Sequence, residues 1–211
     1  MMIKYGLLSS ESLHNNRGKY IIESWGKEVD LTFFSDKEEL PYFFKCSNNT
    51  TRDSAPEKII NGLKKIYDEK YDWFFLGDDD TFVFTDSLQE YVKNIKQDYV
   101  LISHIWSGDP SECDIKNIKW ASGGAGMLIG KSLMKDIMKK INDEDFVYYK
   151  YSDVMISVIC GNLQCEFLHE PRFHWNKPSH FNININQSTS NHHLTFHYVD
   201  EEDIKNLYKN K

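Results

Sequence analysis

Three consecutive aspartates, Asp78, Asp79 and Asp80, stand between two short apolar runs, Trp73-Phe-Phe-Leu76 before them and Phe82-Val-Phe84 after. The first run reads as a buried strand, so three anions are set at the end of a core element, where they repel one another. A strongly positive group placed there would relieve that repulsion. Carboxylate oxygens suit a hard divalent cation, Mn²⁺ or Mg²⁺, which keeps waters and shares the oxygens of a substrate phosphate. A solvated acidic turn is the plain alternative, and the flanking apolar runs count against it. A helix-loop-helix calcium site fails on spacing: counted from Asp78, its glycine and glutamate positions hold Val83 and Gln89. An Asp-x-Asp-x-Thr phosphatase motif fails as well, because Phe82 stands where Thr is needed.

Three further features could bring chemistry to the same place. Ser122-Gly-Gly-Ala-Gly126 is glycine-rich without the Gly-Lys-Ser/Thr of a phosphate loop, so Gly123 and Gly124 are read as letting backbone approach a bound ligand, or as a tight turn. Asp153 falls in the first turn of a helix that continues through Val154, Met155, Ile156, Val158 and Ile159. There it either complements the helix dipole or faces the ends of neighbouring strands. His197 sits inside Leu194-Thr-Phe-His-Tyr-Val199, a strand-like run in which a polar residue needs a reason, and the acidic turn is short of ligands.

The elements that must position these residues alternate strand and helix, which favours an α/β sandwich. Ile3 to Leu8, Val29 to Phe34, Phe43-Phe44 and Tyr99 to Ser103 read as strands; Leu13 to Trp25 carries Tyr20, Ile21 and Trp25 at helical spacing. Ser54-Ala-Pro-Glu57 has the pattern of a capping box and opens a helix bearing Ile59, Ile60, Leu63 and Ile66. Leu88 to Ile95, Leu133 to Ile141 and Glu201 to Tyr208 complete the helices. With 211 residues, a single domain spanning 1–211 can bury a substantial core.

A net charge of −7 argues against nucleic acid or an anionic membrane as the main partner. Any phosphate must therefore be held locally. No apolar run approaches 18 residues, and Ile3 to Leu8 leaves no room for a targeting segment. Four cysteines, Cys46, Cys113, Cys160 and Cys165, lack zinc-ribbon spacing and leave the disulfide state open. Asn48 and Asn186 open Asn-x-Ser/Thr triplets.

In order along nearly the whole chain, His14-Asn-Asn-Arg17, Glu23-Ser-Trp-Gly26, Phe33-Phe-Ser-Asp36, Lys58, Asp72-Trp-Phe-Phe75, Asp78-Asp-Asp-Thr-Phe-Val83, Ser122-Gly-Gly-Ala-Gly126, Ser152-Asp-Val154 and Phe196-His-Tyr-Val199 resemble the Fringe-like glycosyltransferases of family 31. The core 1 β1,3-galactosyltransferase branch is the most similar. The resemblance implies a GT-A fold, a Rossmann-like mixed sheet flanked by helices, and metal-dependent, inverting transfer of a hexose or N-acetylhexosamine from a UDP-sugar to a glycan or glycoprotein acceptor. It implies that Asp80 is the principal metal ligand, that Asp78 and Asp79 reach the metal through water or contact the ribose and sugar, and that His197 completes the metal shell. Arg17, Asp36 and Lys58 correspond to nucleotide and diphosphate contacts, and Asp153 to the catalytic base. Ser152 departs from the acidic residue that often precedes that base. Family members usually carry a Golgi anchor and stem, and this chain has neither; the expectation is a Golgi-lumenal domain if trimmed and a cytoplasmic enzyme if complete. Self-association is open. A non-catalytic carbohydrate-binding or chaperone-like relative is the competing expectation, against which stands the retention of Asp78, Asp80, Asp153 and His197 together.

Overall fold

The computed structural model describes residues 1–143, 145–185 and 192–211. Asn186 lies outside them; Asn48 is exposed in a loop. Four strands begin the architecture: β1 (Ile3–Leu8), β2 (Asp30–Ser35), β3 (Phe43–Lys45) and β4 (Trp73–Asp78). With β6 (Val100–Ser103), β9 (Met127–Gly130) and β10 (Glu166–His169) they form one seven-stranded sheet, ordered β10-β6-β9-β4-β1-β2-β3. β4, β1, β2 and β3 run parallel, as do β10 and β6, while β9 is antiparallel to both its neighbours.

The continuous apolar character of β4 follows from burial on both faces. Trp73 and Phe75 pack with Tyr5, Phe33 and Phe173 on one side; Phe74 and Leu76 pack with Ile59, Leu63 and Leu133 on the other. The second face is covered by α2 (Ala55–Ile66), α4 (Lys131–Lys140) and α5 (Ser152–Asn162), the first by α1 (Lys19–Glu23), α3 (Thr85–Lys93) and α6 (Glu201–Lys209). Smaller pieces complete it: the hairpin of β7 (Ile105–Gly108) and β8 (Ile118–Ala121), and a three-stranded sheet, β11-β12-β5, from β5 (Phe82–Val83), β11 (Phe173–His174) and β12 (Thr195–Phe196).

What positions the site is register. Leu8 pairs with Phe34 on one side and Asp78 on the other, so β1, β2 and β4 end at one level. The residues that follow, Ser9, Asp36 and Asp79, therefore gather at the carboxyl edge, where open α/β sheets bind ligands.

Three sequence expectations are corrected. Ser54 does not form a capping box: the chain enters α2 through a 3-10 turn, Arg52–Ser54, so Ser54 already has helical backbone. Its hydroxyl donates to Thr51 O at 2.6 Å, and Glu57 accepts from Ser47 instead. A true capping box opens α6, where Asp200 accepts from the Asp203 N–H at 2.9 Å. The helix expected over Leu13 to Trp25 is α-helical only in α1, between a π turn and a 3-10 turn. The run Leu194 to Val199 pairs only at Thr195–Phe196, so His197 lies just past the strand, and Tyr198 takes a positive φ of 55°. No disulfide joins the four cysteines, and no helix among the described residues is long and apolar enough to cross a membrane.

Candidate active site

The acidic turn is pinned from three sides. Asp79 N–H donates to Leu8 O at 3.0 Å, Thr81 N–H to Asp78 O at 3.1 Å, and the Thr81 hydroxyl to Gly124 O at 2.9 Å. This fixes the three aspartates in two directions. Asp79 turns inward: its carboxylate accepts from Ser9 Oγ at 2.7 Å and from Arg17 at 3.3 Å. Asp78 and Asp80 turn towards His197, whose Nε2 stands 3.7 Å from Asp78 Oδ2 and 3.2 Å from Asp80 Oδ1. Arg17 also reaches Asp80, at 3.0 Å.

One atom each from Asp78, Asp80 and His197 lie within 4.8 Å of one another, the spacing of ligands around a single cation. The donor set fits. His197 Nδ1 donates to Trp175 O at 3.3 Å, which leaves Nε2 directed at the carboxylates, the orientation that a ligating histidine takes from a backbone carbonyl. Val199 N–H donates to Asp80 O at 3.1 Å and ties this segment to the turn. The His197 ring lies on Gly124, where an added Cβ would fall 2.0 Å from Cε1. Backbone there can only be glycine. Gly124→Ala should drive the imidazole out of the cluster and lower metal affinity at least tenfold, read by Mn²⁺ titration, while Gly161→Ala, which meets open space, should not.

The charge balance asks for a cation. Burial, then Asp80, push the Asp78 carboxyl well above the usual range; since 37% of that side chain still meets solvent, water relieves part of the burial effect and the neighbouring charge matters more. Burial raises the Asp79 carboxyl to about 6, against the opposing hydrogen bond from Ser9. His197 is raised despite burial, by its contacts with Asp80 and Asp78. An acid raised in the folded state contributes stability that is complete below its unfolded value, about 4 for Asp, and lost as pH rises through the folded value. His197 acts in the same direction from about pH 6.5 upwards. The chelated protein should therefore lose thermal stability through these groups from pH 5 to 8, and Mn²⁺ should raise the melting temperature more at pH 8 than at pH 5. Differential scanning fluorimetry with and without chelator reads this; a gap that does not change with pH counts against it.

Two clefts meet at Asp78. One, of about 430 Å³, is lined by Ser9, Arg17, Lys58, Asp78, Asp79, Asp80, His197 and Tyr198. The other, of about 550 Å³, is lined by Asp153, Gly123, Gly124, Trp120, Tyr151, Glu112 and Lys150. Asp153 opens α5 and its carboxylate accepts from Gly123 N–H at 3.2 Å and Val154 N–H at 2.8 Å. Burial nevertheless raises its pKa. Gly123 matters here because a Cβ would stand 3.0 Å from Asp153 Cβ. The two glycines thus make room for Asp153 and His197.

Lys58 and Asp36 occupy a different position. Lys58 Nζ donates to Ser9 O at 3.0 Å and lies 3.7 Å from Asp36, and Asp36 accepts from Glu11 N–H at 2.7 Å and Ser35 Oγ at 3.1 Å. They brace the ends of β1 and β2; Lys58 lines the first cleft and Asp36 lies behind it. Burial pushes the Lys58 ammonium down, against Asp36. Arg52 is a residue that sequence reasoning passed over. It lines both clefts, is exposed, and makes no ion pair with a described residue. Nothing in its own neighbourhood of the sequence marks it, because both clefts are assembled from distant segments.

A Fringe-like family model matches residues 5–211. Among solved structures, a glycosyltransferase involved in the glycosylation of the major capsid of PBCV-1 is similar in fold, with 9% identity, 97% of this chain and 99% of that chain covered, and a TM-score of 0.50. A Drosophila β1,4-galactosyltransferase 7 mutant in complex with manganese, UDP-Gal and xylobiose aligns at 10% identity over 96% of this chain and 73% of that one, with a TM-score of 0.45. The 4-diphosphocytidyl-2C-methyl-D-erythritol synthase of Anaerococcus prevotii aligns at 13% identity over 100% and 99%, with a TM-score of 0.46. The last two scores are too low to bear on the fold. The first agrees with a GT-A architecture.

Proposed function

The chain belongs to the Fringe-like family, and from that premise we propose that it is a metal-dependent, inverting glycosyltransferase that moves a hexose or N-acetylhexosamine from a UDP-sugar to an acceptor hydroxyl, in β1,3 linkage by family resemblance. The observation that carries the reading is the meeting of two clefts at Asp78, with the Asp78, Asp80 and His197 cluster on one side and the carboxylate of Asp153, at the start of α5, on the other. One cleft suits the donor and the other an acceptor.

Roles follow from surroundings. Asp78, Asp80 and His197 would hold a divalent cation, Mn²⁺ or Mg²⁺. The chemistry such an ion supplies when bound is neutralisation of the charge that builds on the departing diphosphate. Arg17 keeps Asp79 and Asp80 from repelling the donor, and Arg52, which makes no ion pair with a described residue, offers its guanidinium to the phosphate oxygens or the incoming acceptor. Asp153 accepts the proton of the attacking hydroxyl. Burial raises its pKa, which makes it a better base than an ordinary carboxylate. As the acceptor oxygen bonds to the anomeric carbon, the bond from that carbon to the phosphate oxygen breaks and the electron pair leaves with UDP. Attack from the face opposite the leaving group inverts the centre.

Calorimetric titration of UDP with Mn²⁺ and with chelator tests the reading. Binding should require the metal, and one among UDP-galactose, UDP-GlcNAc and UDP-glucose should then be consumed in its presence. Absence of UDP binding under both conditions sinks it.

A further inference from the structure

Beyond Asp153 the second cleft continues onto an aromatic surface. Trp120 lines the cleft. In the β7–β8 hairpin it pairs directly with Trp106, which puts both indoles on one face of the hairpin. Trp106 in turn contacts Trp175, ring centroids 5.5 Å apart, and His104, 4.4 Å. Trp175 contacts His180 at 4.7 Å, and its carbonyl accepts from the metal-cluster residue His197.

All three indoles are half-buried, in a molecule whose large core aromatics are almost fully covered. None of their N–H groups donates to a described residue. Trp175 packs in part against the core, whereas Trp106 and Trp120 stand outside both core clusters, so core packing does not account for the hairpin pair. Cross-strand neighbours stand roughly 5 Å apart, so Trp120, which lines the cleft with Asp153, is followed by Trp106 and then by Trp175 in one strip.

Resting on the glycosyltransferase reading, we infer that this strip is an acceptor subsite and that the acceptor is an oligosaccharide, whose terminal sugar sits beside Asp153 over Trp120 while preceding sugars lie on Trp106 and Trp175. The chemistry is specific to carbohydrate. A pyranose offers an apolar C–H face to a flat indole and a rim of hydroxyls to the free N–H donors. His169 adds a further polar group at the edge: its Nδ1 accepts from Ile105 N–H at 3.0 Å, which leaves Nε2 to donate. Glu112 and Lys150, an ion pair in the same cleft, supply acceptor and donor for the sugar beside Asp153. A peptide strand would want an open sheet edge or pockets for aliphatic side chains, and the strip consists of half-buried aromatic rings.

The test is binding of the labelled full chain, with UDP and Mn²⁺, to a printed array carrying monosaccharides, linear oligosaccharides and unglycosylated peptides. Oligosaccharides of three or more sugars should be retained at least tenfold better than their terminal monosaccharides. Trp106→Ala should reduce that retention about tenfold, the worth of one aromatic contact, with Trp106→Phe intermediate and UDP affinity unchanged in both. Equal retention of mono- and oligosaccharides, retention of bare peptides, no retention at all, or an undiminished Trp106→Ala overturns the inference. So does loss of UDP affinity in Trp106→Ala, which would mark a structural role. If wild-type protein fails to bind UDP, the transferase reading itself has failed; if UDP binds and the array stays blank, only the subsite has.

Discussion

Asp153→Asn should lower the transfer rate by about 10² to 10⁴-fold, the usual worth of a general base, and leave metal-dependent UDP affinity within about twofold. The substitution is nearly isosteric and sits in the second cleft, outside the three-residue cation cluster. It is not neutral for the local bonding. The carboxylate accepts from Gly123 N–H through one oxygen and from Val154 N–H through the other. An asparagine has one oxygen and must turn its NH₂ towards one of those donors, which loses a hydrogen bond worth about 1 kcal/mol. Rate loss from misplacement is therefore to be separated from rate loss from missing basicity, and the pH profile does this. The wild-type enzyme should show an acidic limb in kcat/KM set by a carboxyl above the usual range, since burial raises Asp153; in Asp153→Asn the residual rate should lose that limb. A variant that retains it would assign the base elsewhere.

The readability of this site in the sequence depended on how far apart the interacting groups were. β4 was legible because burial on both faces leaves an uninterrupted apolar run that stops at charge, and α5 because its apolar residues recur from its first turn. Ser54 misled because the four-residue capping pattern counts side chains, while the cap position is decided by where the backbone turns helical; that point was moved upstream by the Arg52–Ser54 turn. The real capping box escaped because Asp203, not glutamate, closes it. Lys58 and Asp36 are marked only by the family resemblance, and their mutual pairing joins a helix to a strand end and has no local signature. The tryptophan strip is the extreme case. Its three members sit on two segments, and only the register of the hairpin puts Trp106 opposite Trp120.

Asp80→Ala should abolish the metal dependence of UDP binding, and its contrast with Asp79→Ala is what gives the experiment its force. Both residues are buried, adjacent in sequence and in contact with Arg17. They differ in direction. Asp80 points into the cluster with Asp78 and His197, so its loss leaves one carboxylate and one imidazole, with an affinity for Mn²⁺ expected to fall at least a hundredfold. Asp79 points away, onto the Ser9 hydroxyl. Its truncation strands a buried hydroxyl and leaves Arg17 paired with Asp80 alone, which should destabilise the fold by about 1 to 3 kcal/mol while UDP binding, weakened or not, stays dependent on the metal. The two variants also part company in thermal shift. In Asp80→Ala, Mn²⁺ should no longer raise the melting temperature, because stabilisation by a ligand follows its affinity for the folded state; in Asp79→Ala the shift should survive on a lower baseline. If the variants behave alike, the three aspartates act as one diffuse anionic turn rather than as a directed cluster, and the orientation imposed by Thr81 and Leu8 has no functional consequence.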